Sequence, residues 1–407
     1  MLQACTIDGV AGVDFFSSDS VHDSVHDSVH EDEAGNVCST LRVVRLVHVA
    51  TATAAALVVA GSTVLNSHVV PGDVERELSV AFEARIEVRV DPRFELFSVL
   101  ERLAGAPEYG VAATPYARAA DIWFAPHAAD AAVVAMRRLR AENGIGYDAA
   151  LTLAAQLDEQ LRPVRPLSPL PEGVDERWEG VDIAALLDEV RAFATDTRFD
   201  EFIVGEAKYT SNVEAAFRSF VAGRPLVSWF DDHLGARDNA DYYVVPGLLT
   251  GLMSYGIHAG VDEIFAVVAL EAPDADGLPT LGPLSEEMLV HELAHSYVNP
   301  VVHDHLAEFS EPSPVLVEAA PAMAQQHYPT LEIVIDESIV RALTVLYLYD
   351  EVDTAAANAV LARQVELGFS WVPALARALD SSRSAHGGTW SDAELIATTA
   401  AVLGLDE

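Results

Sequence analysis

The pattern of hydrophobic and polar residues changes in character along this chain of 407 residues. Residues 1–40 show no sustained apolar face, whereas residues 46–65 are almost all apolar or small. Apolar and charged residues alternate over residues 80–90, which predicts a half-buried strand. Two more strands are predicted at residues 242–245 and 263–270, and the rest of the pattern is helical. This order predicts an α+β fold with a small mixed sheet and a mostly helical carboxy-terminal part.

Helical periodicity covers most of the chain beyond residue 90. A proline-rich segment, residues 163–180, interrupts the helices and is predicted to be a surface connection. The strand at residues 263–270 lies directly before the best-marked helix, so we expect an edge strand that could pair with an extended peptide. The other predicted helices are residues 94–104, 129–141, 147–161, 182–194, 200–221, 314–326, 331–349 and 354–367, with two shorter ones beyond.

The best-marked helix contains a His-Glu-x-x-His pattern. Residues 283–300 read PLSEEMLVHELAHSYVNP, which places His291 and His295 four residues apart. An α-helix advances about 100° per residue, so these histidines lie one turn apart on one face, within reach of a single ion. Glu292 flanks that face, where it could take a proton from a water that the metal activates. The pattern therefore predicts a zinc site with Glu292 as the catalytic base.

The boundaries of this helix can also be predicted. Ser285 is a suitable N-cap, and Asn299 before Pro300 disfavours continuation, so we expect the helix to end there. A chance match of so short a pattern is the alternative. Apolar residues on the face opposite the histidines favour the metal site, because they fit a helix that buries one side and lines a cleft with the other.

A third metal ligand has to come from further along the chain, because a catalytic zinc commonly has three protein ligands and one open position. A metzincin is excluded, since Val298 and Val301 stand where that pattern needs glycine and histidine. His303 and His305 follow the predicted end of the helix and would require the chain to fold sharply back.

Two carboxylates on later predicted helices remain, Glu318 and Glu337. Arg341 lies one helical turn after Glu337 and could hold its carboxylate in place, which favours Glu337. A glutamate and an arginine four residues apart are also common on exposed helix surfaces, so spacing alone leaves both carboxylates open.

The charge and the cysteines of the chain limit its partners and its chemistry. The chain holds 63 acidic and 24 basic residues, a net charge of −39, and 55 of the acidic residues lie beyond residue 45. Such a surface repels phosphate backbones, so we expect no nucleic-acid partner. Both cysteines, Cys5 and Cys38, precede residues 46–65. Thiolate ligation and cysteine catalysis are therefore excluded in the rest of the chain.

The first 66 residues are predicted to lie outside the catalytic domain, which we expect to span residues 78–407. Residues 1–40 are acidic and contain the repeat VHDSVHDSVH, so they are expected to be disordered. In residues 41–66, arginines precede the apolar run as in a secretory signal peptide, although a membrane anchor or a buried core helix are alternatives. A signal that begins so late suggests that translation starts nearer Leu41. We expect the domain to be secreted or held at the cell surface.

Three blocks of the sequence resemble a known family. They read VDPRFELFSVLERLAGAPEYG, HELAHSYVNP and DESIVRA. They are similar to blocks of a bacterial family, a domain of unknown function that is grouped with gluzincin-like zinc metallopeptidases, and the similarity runs over about residues 80–349. The resemblance implies a zincin-like fold in which His291, His295 and Glu337 bind zinc and Glu292 is the base.

These observations predict an exported zinc metallopeptidase that acts on a peptide or protein substrate, with residues 46–65 able to serve as a membrane tether. One alternative is a non-catalytic extracellular binding protein that keeps the same fold. Another is a membrane-tethered scaffold in which the His-Glu-x-x-His pattern is accidental. The presence of Glu292 favours catalysis, because a structural metal site does not need it. Candidates for stabilising the oxyanion, without evidence from spacing, are Tyr255, Tyr297 and His327.

Overall fold

Helices account for most of the chain that the structure describes. The computed structural model covers residues 5–6, 86–111, 113–237, 239–260, 262–270, 273–309, 313–326 and 328–405. The α-helices are α1 (Pro92–Ala104), α2 (Pro107–Gly110), α3 (Pro115–Phe124), α4 (Ala131–Asn143), α5 (Ala149–Ala155), α6 (Ile183–Asp196), α7 (Phe199–Gly205), α8 (Ala207–Val221), α9 (Ser228–Leu234), α10 (Pro283–His305), α11 (Pro314–Gln325), α12 (Leu331–Glu351), α13 (Thr354–Glu366), α14 (Val372–Ala385) and α15 (Asp392–Leu403). Short 3-10 turns lie at Ala125–His127, Glu176–Trp178 and Leu306–Glu308.

A mixed sheet lies between these helices. Its strands are β1 (Cys5–Thr6), β2 (Ile86–Val88), β3 (Asp241–Gly247), β4 (Met253–Ala259) and β5 (Glu263–Ala269), in the spatial order β1-β4-β5-β3-β2. Strands β2, β3 and β5 run parallel, and β4 is antiparallel to β5. The two-residue β1 pairs with the beginning of β4. The prediction of a mixed α+β fold with a small sheet and a helical carboxy-terminal part is confirmed.

Helices cover both faces of the sheet. Phe265 of β5 contacts Phe94 of α1, with their ring centroids 5.3 Å apart. The next residue of β5, Ala266, pairs with Gly256 of β4, which lies against Glu292 of α10. Successive residues of a strand point to opposite faces, so α1 and α10 lie on opposite sides of the sheet. α12 then packs on α10, and α13 and α14 pack on α12.

The strand predicted to be the edge strand is internal. β5 lies between β4 and β3. Beyond the two residues of β4 that pair with β1, the free edge belongs to β4, which the sequence indicated only as a glycine-containing connection. Glycines lower strand propensity, and Gly256 with Gly260 obscured the alternation in this stretch. Since β4 comes before β5 in the chain, an edge strand still precedes α10, but it is not the one that was predicted.

Several helix boundaries also differ from prediction. The helix predicted at residues 147–161 is α5 and ends at Ala155, because the chain then forms a tight turn. In this turn the Asp158 carboxylate accepts the backbone N–H groups of Gln160 and Arg162, both at 2.9 Å. The helix predicted at residues 200–221 is divided into α7 and α8. Helices α2, α3 and α9 were not predicted, and each is ten residues or shorter.

The predicted end of α10 at Pro300 is wrong, because the helix continues to His305. Proline lacks the N–H that would donate to the carbonyl of the residue four positions earlier, Ser296. The guanidinium of Arg237 donates to this carbonyl instead. A buried acceptor that Pro300 leaves free is thereby satisfied, so the helix can pass through the proline.

The beginning of α10 differs as well. Pro283 is the first residue of the helix and Gly282 precedes it. Ser285, which the sequence indicated as the N-cap, lies inside the first turn, and its hydroxyl accepts the backbone N–H of Gly282 at 3.2 Å. Proline is favoured at this first position because its missing N–H would have no partner within the helix.

The predicted export segment lies outside the described residues. The histidine repeat, residues 41–66 and residues 80–85 of the first predicted strand all lie outside the described residues. Among the described residues, no helix is both long enough and apolar enough to cross a membrane.

Glu95 is a buried carboxyl group of α1 whose ionisation should oppose folding. Its Oε2 has no hydrogen-bond partner among the described residues. Burial raises the pKa of Glu95 to about 8, against the lowering effects of the Tyr116 hydroxyl and the Leu248 backbone. An unfolded glutamate has a pKa of about 4.3. Between these two values the folded state binds the extra proton, so the free energy of unfolding falls as the pH rises from about 4.5 to about 8.

We expect Glu95→Gln to remove this pH dependence. The amide stays neutral, so the variant should be as stable as the wild type near pH 4.5 and progressively more stable towards pH 8, by at most about 1.4 kcal/mol for each pH unit. Urea unfolding at pH 5, 6.5 and 8 measures the difference. The matched control is Glu142→Gln on an exposed site of α4, which should show no such trend. An equal gain at pH 5 and pH 8 would contradict the assignment.

Candidate metal centre

Two imidazoles meet on one face of α10. The Nε2 atoms of His291 and His295 lie 3.2 Å apart. Burial lowers the pKa of both imidazoles. Both are therefore neutral near pH 7, and each can present a nitrogen lone pair to a metal.

Glu337 of α12 supplies a carboxylate to the same point. Its Oε2 lies 3.6 Å from Nε2 of His291, and its Oε1 lies 3.6 Å from Nε2 of His295. One ligand atom from each of the three residues falls within 4.8 Å of the others, and all three side chains are buried. We call His291, His295 and Glu337 the metal group, because together they could hold a metal ion. The structure brings Glu337 to the histidines and leaves Glu318, the other carboxylate considered, exposed on α11.

Asn299 fixes the orientation of His295. Its Oδ1 lies 3.0 Å from Nδ1 of His295, one helical turn away on α10. The amide oxygen accepts, so Nδ1 carries the proton and donates it, and Nε2 is left as the unprotonated nitrogen. The sequence contained a signal for this contact, because residues four apart on a helix are neighbours.

Arg341 holds Glu337, as the sequence predicted. Its Nη2 forms an ion pair with Glu337, 2.9 Å from Oε2, and donates to the hydroxyl of Tyr328 at 3.0 Å. The guanidinium also lies over the ring of Phe369, 4.3 Å from the centroid. Its Nη1 donates to Oε1 of Gln364. A buried cation with this many partners fixes the carboxylate rotamer of Glu337.

Gln364 of α13 connects this arginine to α10. While its Oε1 accepts from Arg341, its Nε2 lies 3.5 Å from Oε1 of Glu287. Glu287 lies one turn before His291 and is also bound by Arg363. Sequence analysis missed Gln364, Tyr328 and Glu287, because they are far apart in the chain and come together only through the packing of α10 and α13 on α12.

Glu292 lies beside the metal group without belonging to it. Its side chain is buried, and neither carboxylate oxygen has a hydrogen-bond partner of ordinary geometry among the described residues. Burial raises the pKa of this carboxyl group well above its usual range, and the charge of Glu337 adds to the effect, while the nearby backbone of Gly256 lowers it. A buried carboxyl group with a raised pKa and no fixed partner can both accept and donate a proton.

Gly256 lets α10 approach β4 closely at Glu292. A Cβ at this position would lie 2.8 Å from the backbone oxygen of Glu292 and 3.4 Å from its Oε2. A side chain there would push the helix away from the strand. The same glycine that obscured the strand in the sequence thus allows the edge strand to lie against Glu292.

His258 is a further residue near the site, and sequence analysis missed it. It lies two residues after Gly256 on β4, so its side chain points to the same face of the sheet. The residue as a whole is partly exposed. Burial of its ring lowers the pKa of His258 to about 3, and the charges of Arg237 and His295 contribute to the lowering. No spacing to the His-Glu-x-x-His pattern could have indicated it.

The other residues named from the sequence do not join the site where the structure describes them. Tyr297 is bound to Tyr242 at 2.7 Å and to Asp231 at 2.6 Å through its hydroxyl. Tyr255 alternates with Gly256 on β4 and therefore points to the opposite face of the sheet. His303 pairs with Glu332, and His305 pairs with Glu308, both near the protein surface. His327 lies outside the described residues.

Comparison with known families shows that this site lies within the part of the chain that matches a family model. A family model described as a domain of unknown function (DUF4932) matches residues 174–385, slightly more than half of the chain. The chain belongs to the DUF4932 family. No curated protein and no solved structure was found to match it.

The DUF4932 region contains the complete metal group. It includes α10 and α12, and with them the blocks HELAHSYVNP and DESIVRA. The block at residues 90–110 lies before the DUF4932 region, so family membership rests on the part of the chain that carries His291, His295 and Glu337. The description of the family assigns no reaction.

Proposed function

We propose that this protein is a zinc-dependent hydrolase, a metallopeptidase in which His291, His295 and Glu337 hold the ion and Glu292 is the general base. The observation that carries the proposal is the arrangement of two neutral imidazole nitrogens and one carboxylate around a common point, with a fourth side chain, Glu292, beside it and unbound. Catalytic zinc sites use three protein ligands of this kind and leave one position open.

The donor separations support zinc as the ion. In a tetrahedral site with bonds of about 2.0–2.1 Å, neighbouring ligand atoms are about 3.3 Å apart. The two histidine nitrogens are 3.2 Å apart, and each lies 3.6 Å from one oxygen of Glu337, Oε2 for His291 and Oε1 for His295. The set contains no thiolate and only one carboxylate, which suits zinc better than magnesium or calcium.

The residues around the ion divide the chemistry between them. Bound zinc polarises a substrate carbonyl and lowers the pKa of water. Glu292 accepts the proton from the attacking water and returns it to the nitrogen of the leaving amine. Asn299 keeps the Nε2 atom of His295 unprotonated, and Arg341 keeps Glu337 directed towards the histidines. Burial of the site strengthens each of these interactions.

The zincin-like fold class belongs to this proposal. It is supported by an antiparallel edge strand that lies against the His-Glu-x-x-His helix, and by a third candidate ligand, the carboxylate of Glu337, on a later helix, α12. This combination is what the gluzincin resemblance implies. Export is proposed on the sequence of residues 46–65, which lie outside the described residues.

Burial of the site favours a second candidate, a binding protein with a structural metal. None of His291, Glu292, His295 and Glu337 is more than 2 % exposed. Structural zinc sites are closed in the same way. Against this candidate stands Glu292, whose unpaired carboxyl group is costly to bury and is not needed to hold a metal.

Metal analysis combined with a peptide-cleavage profile tests the proposal. We expect one zinc per chain after purification, and peptide-bond cleavage that stops when the zinc is chelated and returns when zinc is restored. Glu318→Gln serves as the control and should keep both zinc and activity, because Glu318 is exposed on α11. Zinc without cleavage of any peptide would favour the binding protein. Failure to bind zinc at all would contradict both candidates.

A further inference from the structure

The metal group lies behind β4, and this position determines which substrates can reach it. A peptidase commonly binds an extended peptide by pairing it with an edge strand. Here the edge strand is β4, and Gly256 of this strand contacts Glu292. The accessibility of the free edge of β4 therefore limits the class of substrate.

A segment after α5 runs over this edge, and we call residues 156–175 the strap. Its beginning folds back on itself, since the backbone N–H of Val164 donates to the carbonyl of Gln156 at 2.9 Å. Its end is anchored to α5, because the backbone N–H of Asp175 donates to the hydroxyl of Thr152 at 3.1 Å. α5 itself packs on β4.

The strap occupies the groups that an incoming peptide would use. Nε2 of Gln156 donates to the carbonyl oxygen of His258 on β4 at 3.0 Å. Gly173 lies against the same carbonyl, so closely that a Cβ built on it would be 2.5 Å from the oxygen. Just beyond β4, the guanidinium of Arg165 fills the space beside Gly260. The free edge is therefore covered at its end, and β1 pairs with its beginning.

We propose, on the basis of the hydrolase function above, that the site acts on short peptides and chain ends and excludes the interior of an extended polypeptide. A continuous chain would need room along β4 on both sides of Glu292, and the strap removes that room on the His258 side. A short peptide needs room along β4 on only one side of Glu292.

Gly173→Ala tests the covering of β4. The new Cβ cannot lie 2.5 Å from a backbone oxygen, so the strap must move away from His258. Gly173 also has a positive φ of 88°, which alanine tolerates poorly. The matched control is Gly180→Ala, since Gly180 has a φ of 75° but no atom within 4 Å of its Cβ position. A second variant, Gln156→Leu, removes the hydrogen bond to His258 and keeps the buried volume.

Hydrogen–deuterium exchange measures the covering without turnover. In the zinc-loaded protein we expect the amides of residues 254–260 to exchange about tenfold faster in Gly173→Ala and Gln156→Leu than in the wild type, as expected for the loss of one or two contacts. Gly180→Ala should leave their exchange unchanged. If both strap variants exchange at the wild-type rate, the strap does not cover β4 and the proposal is wrong, whatever the activity. Gln156→Leu decides the matter if Gly173→Ala does not fold.

Cleavage assays test the substrate class. The zinc-loaded wild type should cleave synthetic peptides of two to six residues and leave unfolded, carboxymethylated casein uncut at internal bonds. Gly173→Ala should cut that casein at least about tenfold faster than the wild type or Gly180→Ala, because opening the edge restores strand pairing. Internal cleavage of casein by the wild type at the rate of the short peptides would overturn the proposal. If neither the wild type nor any variant cuts a peptide, while the strap variants still speed the exchange of β4 amides, then the hydrolase function is wrong and the proposed substrate class is wrong with it.

Discussion

Replacement of Glu292 by glutamine is expected to abolish most of the hydrolysis and to leave zinc in place. The amide has nearly the same size and helix propensity, but it cannot accept a proton from water. General bases contribute about a hundredfold to ten-thousandfold to rate, so kcat should fall by a factor in this range. The zinc content should not change, because Glu292 lies outside the metal group.

Zinc analysis and single-turnover cleavage of a short peptide measure the two effects separately. Glu95→Gln is the matched control, since it also neutralises a buried glutamate with a raised pKa, but on α1 and away from the metal group. It should retain the wild-type kcat. A Glu292→Gln variant that keeps full activity would remove Glu292 from the mechanism, and one that loses zinc would make it a ligand instead of a base.

Replacement of Glu337 by glutamine is expected to act on zinc binding itself. A neutral amide oxygen is a weaker donor than a carboxylate, and the charge that balances the ion is lost. Substitutions in the layer around a metal already cost about tenfold to a hundredfold in affinity, so loss of a ligand charge should cost more than about a hundredfold. Burial increases the effect, because Arg341 loses the carboxylate that it binds at 2.9 Å.

Competition with a chromophoric chelator measures the zinc Kd of each variant. Gln364→Leu should weaken zinc binding less, by about tenfold, because it loosens Arg341 and does not remove a ligand. Glu318→Gln should bind zinc like the wild type. If Glu337→Gln retains the wild-type Kd and Glu318→Gln does not, the third ligand is Glu318 and the geometry of the metal group has been misread.

The helix that carries the histidines could be predicted from sequence because its information is local. His291, Glu292 and His295 fall within little more than one helical turn, and a helix of 3.6 residues per turn places them in only one way. Arg341 could be predicted for the same reason, since it lies one turn from Glu337 on one helix. Predictions from local rules failed where a residue distant in the sequence contacts the element. Pro300 should have ended α10, but Arg237 satisfies the carbonyl that the proline leaves free.

The edge strand shows why the rest could not be predicted. Gly256 and Gly260 argue against a strand by propensity, and propensity is a weak guide where tertiary packing decides. Both glycines are present because other parts of the chain come close: Glu292 of α10 lies against Gly256, and Arg165 of the strap lies against Gly260. Neither neighbour can be identified without the fold. The two glycines, which favoured a loop in the sequence, instead mark positions where other parts of the chain pack closely on the strand.

By itself, the sequence determined the helix with two candidate metal ligands, the candidate base beside them, a mixed α+β chain and the absence of cysteine chemistry beyond residue 38. Each of these follows from residue type and from spacing within one element. The tertiary structure alone decided between Glu337 and Glu318, added Gln364 and His258 to the surroundings of the site, and placed the strap over β4. These choices depend on which helices and strands pack together. Packing is set by the summed burial of many apolar side chains, and no single motif encodes that sum.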